Sequence, residues 1–323
     1  MNWPLRTARL RFCRMVRIAA DVTWLIGSTP LVDLAALSPP GCRLVAKLES
    51  RNPSGSNKDR AALGMIAHAE RCGFLQPGGT LVECTSGDLG ISIAMVGRRR
   101  GYRVVLTMPE GAPPHRASLL RALGAEIVTT PRADGMRGAM ARAEQFAKQT
   151  PGAVCLQAFT NRANARAHAE STAREIWCDT DGQVDVVVVP VGTGGTASGC
   201  ATHLRERGVA VIGVEPATSR VLAGSKAGEH DIPGLGAGFV PDILAVSDLD
   251  EVVPVTDREA RRSVQLLART EAILVGPAGG AVVHAALAVA GRTENAGKLV
   301  VAVLPDAGER YFDHGAYRQE DCG

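Results

Sequence analysis

Arg51-Asn52-Pro53-Ser54-Gly55-Ser56-Asn57-Lys58-Asp59-Arg60 joins two readable pieces of this chain. Before it, Leu44-Val45-Ala46-Lys47-Leu48 is a short, mostly apolar run between polar neighbours, as in a strand. After it, Ala61–Ala69 carries apolar residues at helical spacing. The Asn, Pro, Ser and Gly between them are turn residues, and Ser56 or Asn57 is placed to cap the helix. Lys58 then stands at or near a helix N-terminus. The positive end of the helix dipole and a partly dry site both disfavour an ammonium there. A lysine so placed can shed its proton and form a Schiff base. The alternative is an ordinary solvated lysine in a first turn.

The 323 residues suffice for one large or two ordinary domains. Hydrophobic residues make up 46%, enough for a substantial core, whereas aromatics are only 4%, so the core is aliphatic and base-stacking on nucleic acid is disfavoured. A net charge of +3 gives no electrostatic argument for DNA or RNA. No apolar run reaches transmembrane length. The 8 cysteines are scattered, without C-x-x-C or a His/Cys cluster. That argues against a metal site and against a disulfide scaffold, and fits a reducing cytoplasm. Residues 1–20 carry Arg6, Arg9, Arg11, Arg14 and Arg17 and no acid, with Ala8, Phe12, Met15 and Val16 on the other side of a helical wheel. The stretch reads as a basic extension, with a membrane-surface or transit segment as the alternative.

Along the rest of the chain, strands and helices alternate. Ile26–Val32 is a turn entering a short apolar run. Gly79–Cys84 reads as a strand running into Thr85-Ser86-Gly87-Asp88-Leu89-Gly90 and a helix over Ile91–Arg100. Tyr102–Met108 (strand), Arg116–Leu123 (helix), Glu126–Thr129 (strand) and Met136–Gln149 (helix) follow. Val184–Val191, mostly valine, is a strand buried on both faces that enters Gly192-Thr193-Gly194-Gly195-Thr196 and a helix from Ala197. Val209–Val214 and Glu251–Val255 are strands, and Thr256 caps a helix over Asp257–Glu271. A glycine-rich Gly276–Gly280, another helix and the strand Leu299–Leu304 complete the set. Such alternation implies parallel strands with crossover helices. The fold class is α/β, in two doubly wound parallel-sheet units, with ligands at the carboxyl ends of the strands.

Gly192–Thr196 suits a phosphate: backbone N–H groups and the helix dipole attract it, glycines admit close approach, and Thr193 and Thr196 add hydroxyls. No lysine follows, so it is not a Walker A loop. It also matches G-x-G-x-x-A, and Glu215 ends the next strand about 20 residues on, which keeps a dinucleotide and a plain tight turn as rivals. The N–H groups and hydroxyls of Thr85–Gly90 suit a carboxylate. A lysine loop, a carboxylate loop and a phosphate loop together meet the needs of a pyridoxal phosphate enzyme acting on an amino acid.

With these stretches assembled, the chain resembles the cysteine synthase / cystathionine β-synthase family of fold-type II pyridoxal phosphate enzymes, from about Ile26 to Phe312. Asn52–Arg60 resembles its Schiff-base loop, which implies that Lys58 is the imine lysine. Thr85–Gly90 resembles its T-S-G-N-T-G substrate loop, implying substrate contacts from Thr85, Ser86, Gly87 and Leu89. Gln157-Ala158-Phe159 with Asn161 and Asn164 resembles its Q-F-x-N-P-A-N segment, which adds Gln157 to the substrate carboxylate. Gly192, Thr193, Gly194, Gly195 and Thr196 match its phosphate loop. Gly234–Pro241 and Pro305–Tyr311 match two further segments. The resemblance also implies a homodimer. The expected domains are a smaller one over 45–160 with the substrate loop and a larger one over 21–44 plus 161–323 with the phosphate loop.

Three positions depart from the family. Asp88 replaces an asparagine beside the cofactor's phenolic oxygen, where a carboxylate repels its neighbours unless protonated or paired. Leu89 replaces a threonine, as in some diaminopropionate-type synthases. Gly279, in Gly276-Pro277-Ala278-Gly279-Gly280, stands where a serine bonds the pyridine nitrogen, a pattern similar to that of serine/threonine dehydratases. The nitrogen is therefore expected to stay unprotonated. The implied reaction is β-replacement on an O-acetyl- or O-phospho-L-serine. Lys58 is the base at the α-carbon, and sulfide, a thiol or an amine is the nucleophile. A β-eliminating lyase, a diaminopropionate-type synthase and a weakly active binding homologue are the alternatives.

Overall fold

The computed structural model describes residues 18–111 and 114–318, with backbone alone at 114 and 115; most of the basic stretch 1–20 therefore lies outside the described residues. In chain order the strands are β1 (Leu31–Asp33), β2 (Arg43–Leu48), β3 (Thr80–Cys84), β4 (Arg103–Pro109), β5 (Glu126–Thr130), β6 (Ala153–Cys155), β7 (Val186–Pro190), β8 (Ala210–Pro216), β9 (Glu251–Val255) and β10 (Leu299–Leu304). The helices are α1 (Lys58–Arg71), α2 (Asp88–Arg99), α3 (Pro114–Ala122), α4 (Gly135–Gln149), α5 (Arg162–His168), α6 (Arg174–Asp179), α7 (Gly195–Leu204), α8 (Asp257–Glu271) and α9 (Pro277–Ala290). Two sheets result, ordered β1-β2-β10-β7-β8-β9 and β5-β4-β3-β6.

The valine run explains the larger sheet. Side chains alternate across a strand, and here both faces are covered. Val186 and Val188 of β7, with Val300, Ala302 and Leu304 of β10, pack against α8 and α9. Val187 and Val189, with Leu299, Val301 and Val303, pack against Ala197, Cys200, Ala201 and Leu204 of α7. The smaller sheet repeats this scheme: Leu81, Val104 and Leu106 face α1 and α2, and Val82, Cys84 and Val105 face Ala139 and Ala143 of α4.

Pairing is parallel throughout both sheets except at the edge, where β1 runs antiparallel to β2, against the all-parallel expectation. β2 pairs with β10 in the larger sheet. A domain boundary at residue 45 would cut through that strand, and we propose that the smaller domain begins after Leu48. Pro277 to Gly280, expected as a loop, form the first turn of α9 with Pro277 at its start. Thr256 caps α8 in a reciprocal capping box with Glu259.

Beneath the Lys58 loop lies a buried ionic network. Arg60 pairs with Glu49 and Glu175, each at 2.7 Å. Lys47 reaches Glu175 at 2.8 Å, and Thr29 donates to Glu49 at 2.6 Å. The network ties the start of α1 to the end of β2 and to α6. Arg60→Ala leaves the fully buried Glu49 without a cation and Glu175 with Lys47 alone, and a loss of about 3–5 kcal/mol of stability is expected in denaturant titration. Burial raises the Glu175 carboxyl, but hydrogen bonds and charge from Arg60 and Lys47 outweigh it and leave the group at about 2. That lies below the usual glutamate value near 4.3. Its stabilisation is therefore full above that value and lost as pH falls toward 2. Glu175→Gln should accordingly lose less stability than wild type between pH 4.5 and pH 2.

Candidate active site

A cavity of about 320 Å³ opens at the carboxyl ends of strands from both sheets. Lys58, the loop from Thr85 to Leu89, Gly192, Thr193, Pro305 and Asp306 all line it. Chain reversal after β3, β7 and β10 delivers these residues to one place, where an α/β fold puts its ligands.

Lys58 is the first residue of α1. Its backbone N–H donates to Ser56 Oγ at 3.3 Å, so Ser56 rather than Asn57 supplies the side-chain contact at this helix start. Burial pushes the Lys58 ammonium down from its ordinary value, against the opposing charges of Asp88, Asp306 and Glu49. Its Nζ donates to Asn57 Oδ1 at 2.7 Å, and Asn57 Nδ2 donates to Thr196 Oγ1 at 3.0 Å. One buried amide thus links the lysine to the glycine turn.

That turn is built by close approach. Gly194 adopts φ +86°, and α7 begins at Gly195. A Cβ on Gly192 would lie 2.4 Å from the Gly234 carbonyl oxygen, and one on Gly195 would lie 2.0 Å from Asn164 Oδ1. Asn164 Nδ2 donates to Ala158 O at 2.9 Å and to Thr193 Oγ1 at 3.1 Å. Behind Thr196 stands His168, fully buried, whose imidazole is pushed well below its ordinary value by burial and the charges of Arg60 and Lys58. The first N–H groups of α7 have no intrahelical acceptor. A rigid glycine cradle with free N–H groups and hydroxyls fits a phosphate. Gly192 and Thr193 face the cavity, whereas Gly194 packs against Pro241, Ile243 and Leu244.

Several expected contacts take another form. Thr85 Oγ1 accepts from the N–H groups of Gly87 (3.1 Å) and Gly90 (3.0 Å) and donates to Gly87 O. Its hydroxyl therefore shapes the loop. Ser86 is exposed, and its carbonyl accepts from Arg116, a lining residue that the sequence did not single out. Gln157, held at φ +54°, donates to Glu144 at 3.2 Å beside a separate, much smaller cavity. It is not part of the main lining. Gly279 also lies behind the wall, its place in the lining taken by Ala278; a Cβ there would meet that of Val275 at 2.8 Å. Glu215, the acid that kept a dinucleotide as a rival, is buried and accepts from Leu222 N at 2.9 Å, outside the cavity lining.

The charge at Asp88 is paired. Arg310 donates to Asp88 Oδ1 at 2.5 Å and also to Ser54 O, so one guanidinium joins the Thr85–Gly90 loop to the Lys58 loop. The side chains are 12% and 21% exposed, so screening is weak. Asp88→Asn should cost about 2 kcal/mol, the scale of a charged hydrogen bond. In a double-mutant cycle with Arg310→Ala the two losses should fall short of additivity; full additivity would show that the pair contributes nothing. Asn164, Asp306, Arg310 and Tyr311 complete the surroundings without a role expected from the sequence, and Asn57, expected only as a cap, joins Lys58 to Thr196 instead. The signal available was their place in the quoted stretches, Asn57 beside Lys58 and the last three within Pro305–Tyr311.

A family profile described as "Pyridoxal-phosphate dependent enzyme" matches residues 22–306. The cysteine synthase A of Salmonella typhi is 44% identical over 309 residues, which cover 92% of this chain and 95% of the relative. The crystal structure of a cysteine synthase from Entamoeba histolytica superposes with TM-score 0.91 at 37% identity, covering 100% of this chain and 95% of the other. That of an O-ureido-L-serine synthase gives TM-score 0.90 at 38% identity, covering 95% and 97%.

Proposed function

Since this chain belongs to the pyridoxal-phosphate-dependent enzymes, on the cysteine synthase side of that family, we propose that it catalyses β-replacement on an O-activated L-serine, with sulfide or another small nucleophile as the incoming group. The observation that carries this reading is the single amide of Asn57, which joins the amine of Lys58 to Thr196 of the turn whose Gly192 and Thr193 line the same cavity as that amine. An amine for the cofactor's aldehyde and a cradle for its phosphate thus stand within reach of one small molecule.

In this reading Lys58 holds the aldehyde end, and the turn with Thr193 and Thr196 holds the phosphate. Pyridoxal phosphate, when bound, supplies the electron sink for charge left at the substrate's α-carbon. Burial keeps Lys58 ready to accept the α-proton and to return it to product. The exposed Ser86 and the N–H groups of Asp88 and Leu89 at the start of α2 receive the substrate carboxylate, while Thr85, bonded to the Gly87 and Gly90 N–H groups, holds that loop in shape. Gln157 joins the carboxylate only after releasing Glu144. Asp88 acts beside the cofactor as a neutralised pair with Arg310, which removes the electrostatic objection to a carboxylate there.

Purified protein should be yellow, and should convert O-acetylserine or O-phosphoserine with sulfide to cysteine. Protein that stays colourless with added cofactor would refute the proposal. The Pro277–Gly280 turn favours one second reading, a β-eliminating lyase, because Gly279 supplies no hydroxyl and has no room for one. O-acetylserine without sulfide separates the two, since accumulation of pyruvate favours the lyase. We further propose a cytoplasmic homodimer. The six described cysteines are free thiols, in keeping with a reducing compartment. Consecutive exposed Trp24 and Leu25 offer an apolar surface for association.

A further inference from the structure

Asp306 lines this site and has no part in the reading above. It follows β10, lines the cavity and is 3% exposed. Its Oδ2 accepts from Tyr311 Oη at 2.6 Å, while its Oδ1 is buried without a partner. No other described residue lining the cavity carries such an orphaned side-chain atom. A buried polar atom left unpaired costs stability, and its persistence at a binding site points to a ligand that completes it.

The neighbouring wall sharpens the identity of that ligand. Pro277, Ala278, Gly279 and Gly280, the first turn of α9, offer no side-chain donor or acceptor. The Asp306 carboxylate lies over this turn. A Cβ on Gly276 would stand 2.4 Å from Asp306 Oδ2, so glycine makes room for the acid. Pyridoxal phosphate has three polar directions on its ring edge: the aldehyde with its neighbouring phenolic oxygen, the phosphate arm and the ring nitrogen. Lys58 and Asp88 answer the first, and the Gly192–Thr196 turn answers the second. We infer that Asp306 answers the third and partners the ring nitrogen, in place of the missing hydroxyl. The inference rests on the cofactor assignment made above.

The charges around Asp306 suit that task. Burial first, and then the charge of Asp88, raise its carboxyl to about 7; the hydrogen bond from Tyr311 and the charges of Lys58 and Arg310 oppose the rise. With its carboxyl near 7 the group is protonated in about half of the molecules at neutral pH, and it can pass that proton to a basic nitrogen, becoming a carboxylate that pairs with the resulting cation. The proton moves from carboxyl oxygen to ring nitrogen, and no other bond changes. A protonated ring is a stronger electron sink than one that only accepts a hydrogen bond from a hydroxyl, so the acid supplies more at this edge than the hydroxyl that Gly279 lacks.

The test uses the holoenzyme reconstituted with ¹⁵N-labelled pyridoxal phosphate. At pH 7 the wild-type resonance should lie at the protonated position, and in Asp306→Asn it should move to the unprotonated one. An unprotonated wild-type nitrogen overturns the inference, and so does a variant indistinguishable from wild type. Should Asp306→Asn fail to fold, the 1-deaza analogue, with carbon for the ring nitrogen, serves on wild type alone. It should bind about tenfold or more weaker than pyridoxal phosphate, the scale of one charged hydrogen bond; equal affinity overturns the inference. Binding of neither compound would instead sink the cofactor assignment, and this inference with it.

Discussion

Lys58→Ala is expected to lose turnover by about a thousandfold or more, with the protein still folded. The side chain is asked to do two things, to hold the cofactor's aldehyde and to move the α-proton. Proton transfer alone is worth about 10²–10⁴, and loss of covalent attachment adds to it. The visible absorbance of the holoenzyme should change in parallel. Folding should survive, because no hydrogen bond given by Lys58 Nζ reaches beyond its neighbour Asn57, at 2.7 Å. Truncation also removes a half-buried amine whose charged form desolvation already disfavours. Circular dichroism and the thermal midpoint check the fold; turnover of O-acetylserine with sulfide checks the chemistry. A variant retaining more than a tenth of wild-type turnover would transfer the role to another group.

Gly195→Ala is the second large effect, and it comes from one methyl group. The added carbon would lie 2.0 Å from Asn164 Oδ1, well inside contact distance. Asn164 is buried, and its Nδ2 is committed to Ala158 O and Thr193 Oγ1. It has nowhere to swing, so the backbone of the turn must shift and take Thr193 with it. Overpacking of this kind costs about 1–3 kcal/mol, or roughly fivefold to 150-fold in cofactor affinity if the strain falls on the turn. Titration of apo-protein with pyridoxal phosphate measures it. Unchanged affinity would show that the cradle does not bear on the phosphate.

Much of this was legible in the sequence because it rests on local chemistry. A valine run buried on both faces announces a central parallel strand, and β7 and β10 have that burial. Glycines between a strand and a helix announce a tight turn, and the Lys58 loop announces itself by Asn, Pro, Ser and Gly. β6 escaped because it has only three residues, all half-buried, too short for an alternation to show even with the Pro151-Gly152 turn directly before it. β1 was readable as an apolar run, but its antiparallel direction depends on a pairing with β2 that no local pattern encodes.

The site divides along the same line. Lys58, the Thr85–Leu89 loop, Gly192 and Thr193 were readable and share one cavity. The pairing of Asp88 with Arg310 spans 222 positions, so only the fold brings it about. In the sequence the Thr85 hydroxyl looks free to meet a substrate; in the fold the N–H groups of Gly87 and Gly90 claim it. Gln157 was assigned by motif, yet its side chain answers to Glu144, a partner set by the packing of α4 against the small sheet. Gly279 was read as a lost hydroxyl, and the acid near its turn, Asp306, comes from a different strand end.

The most direct test is reductive trapping of the cofactor. The yellow holoenzyme is treated with borohydride and digested, and the peptides are analysed by mass spectrometry. One phosphopyridoxyl adduct is expected, on the peptide containing Lys58. An adduct confined to another lysine, or no adduct in protein saturated with cofactor, would contradict the placement of the amine and the phosphate turn in a single working site.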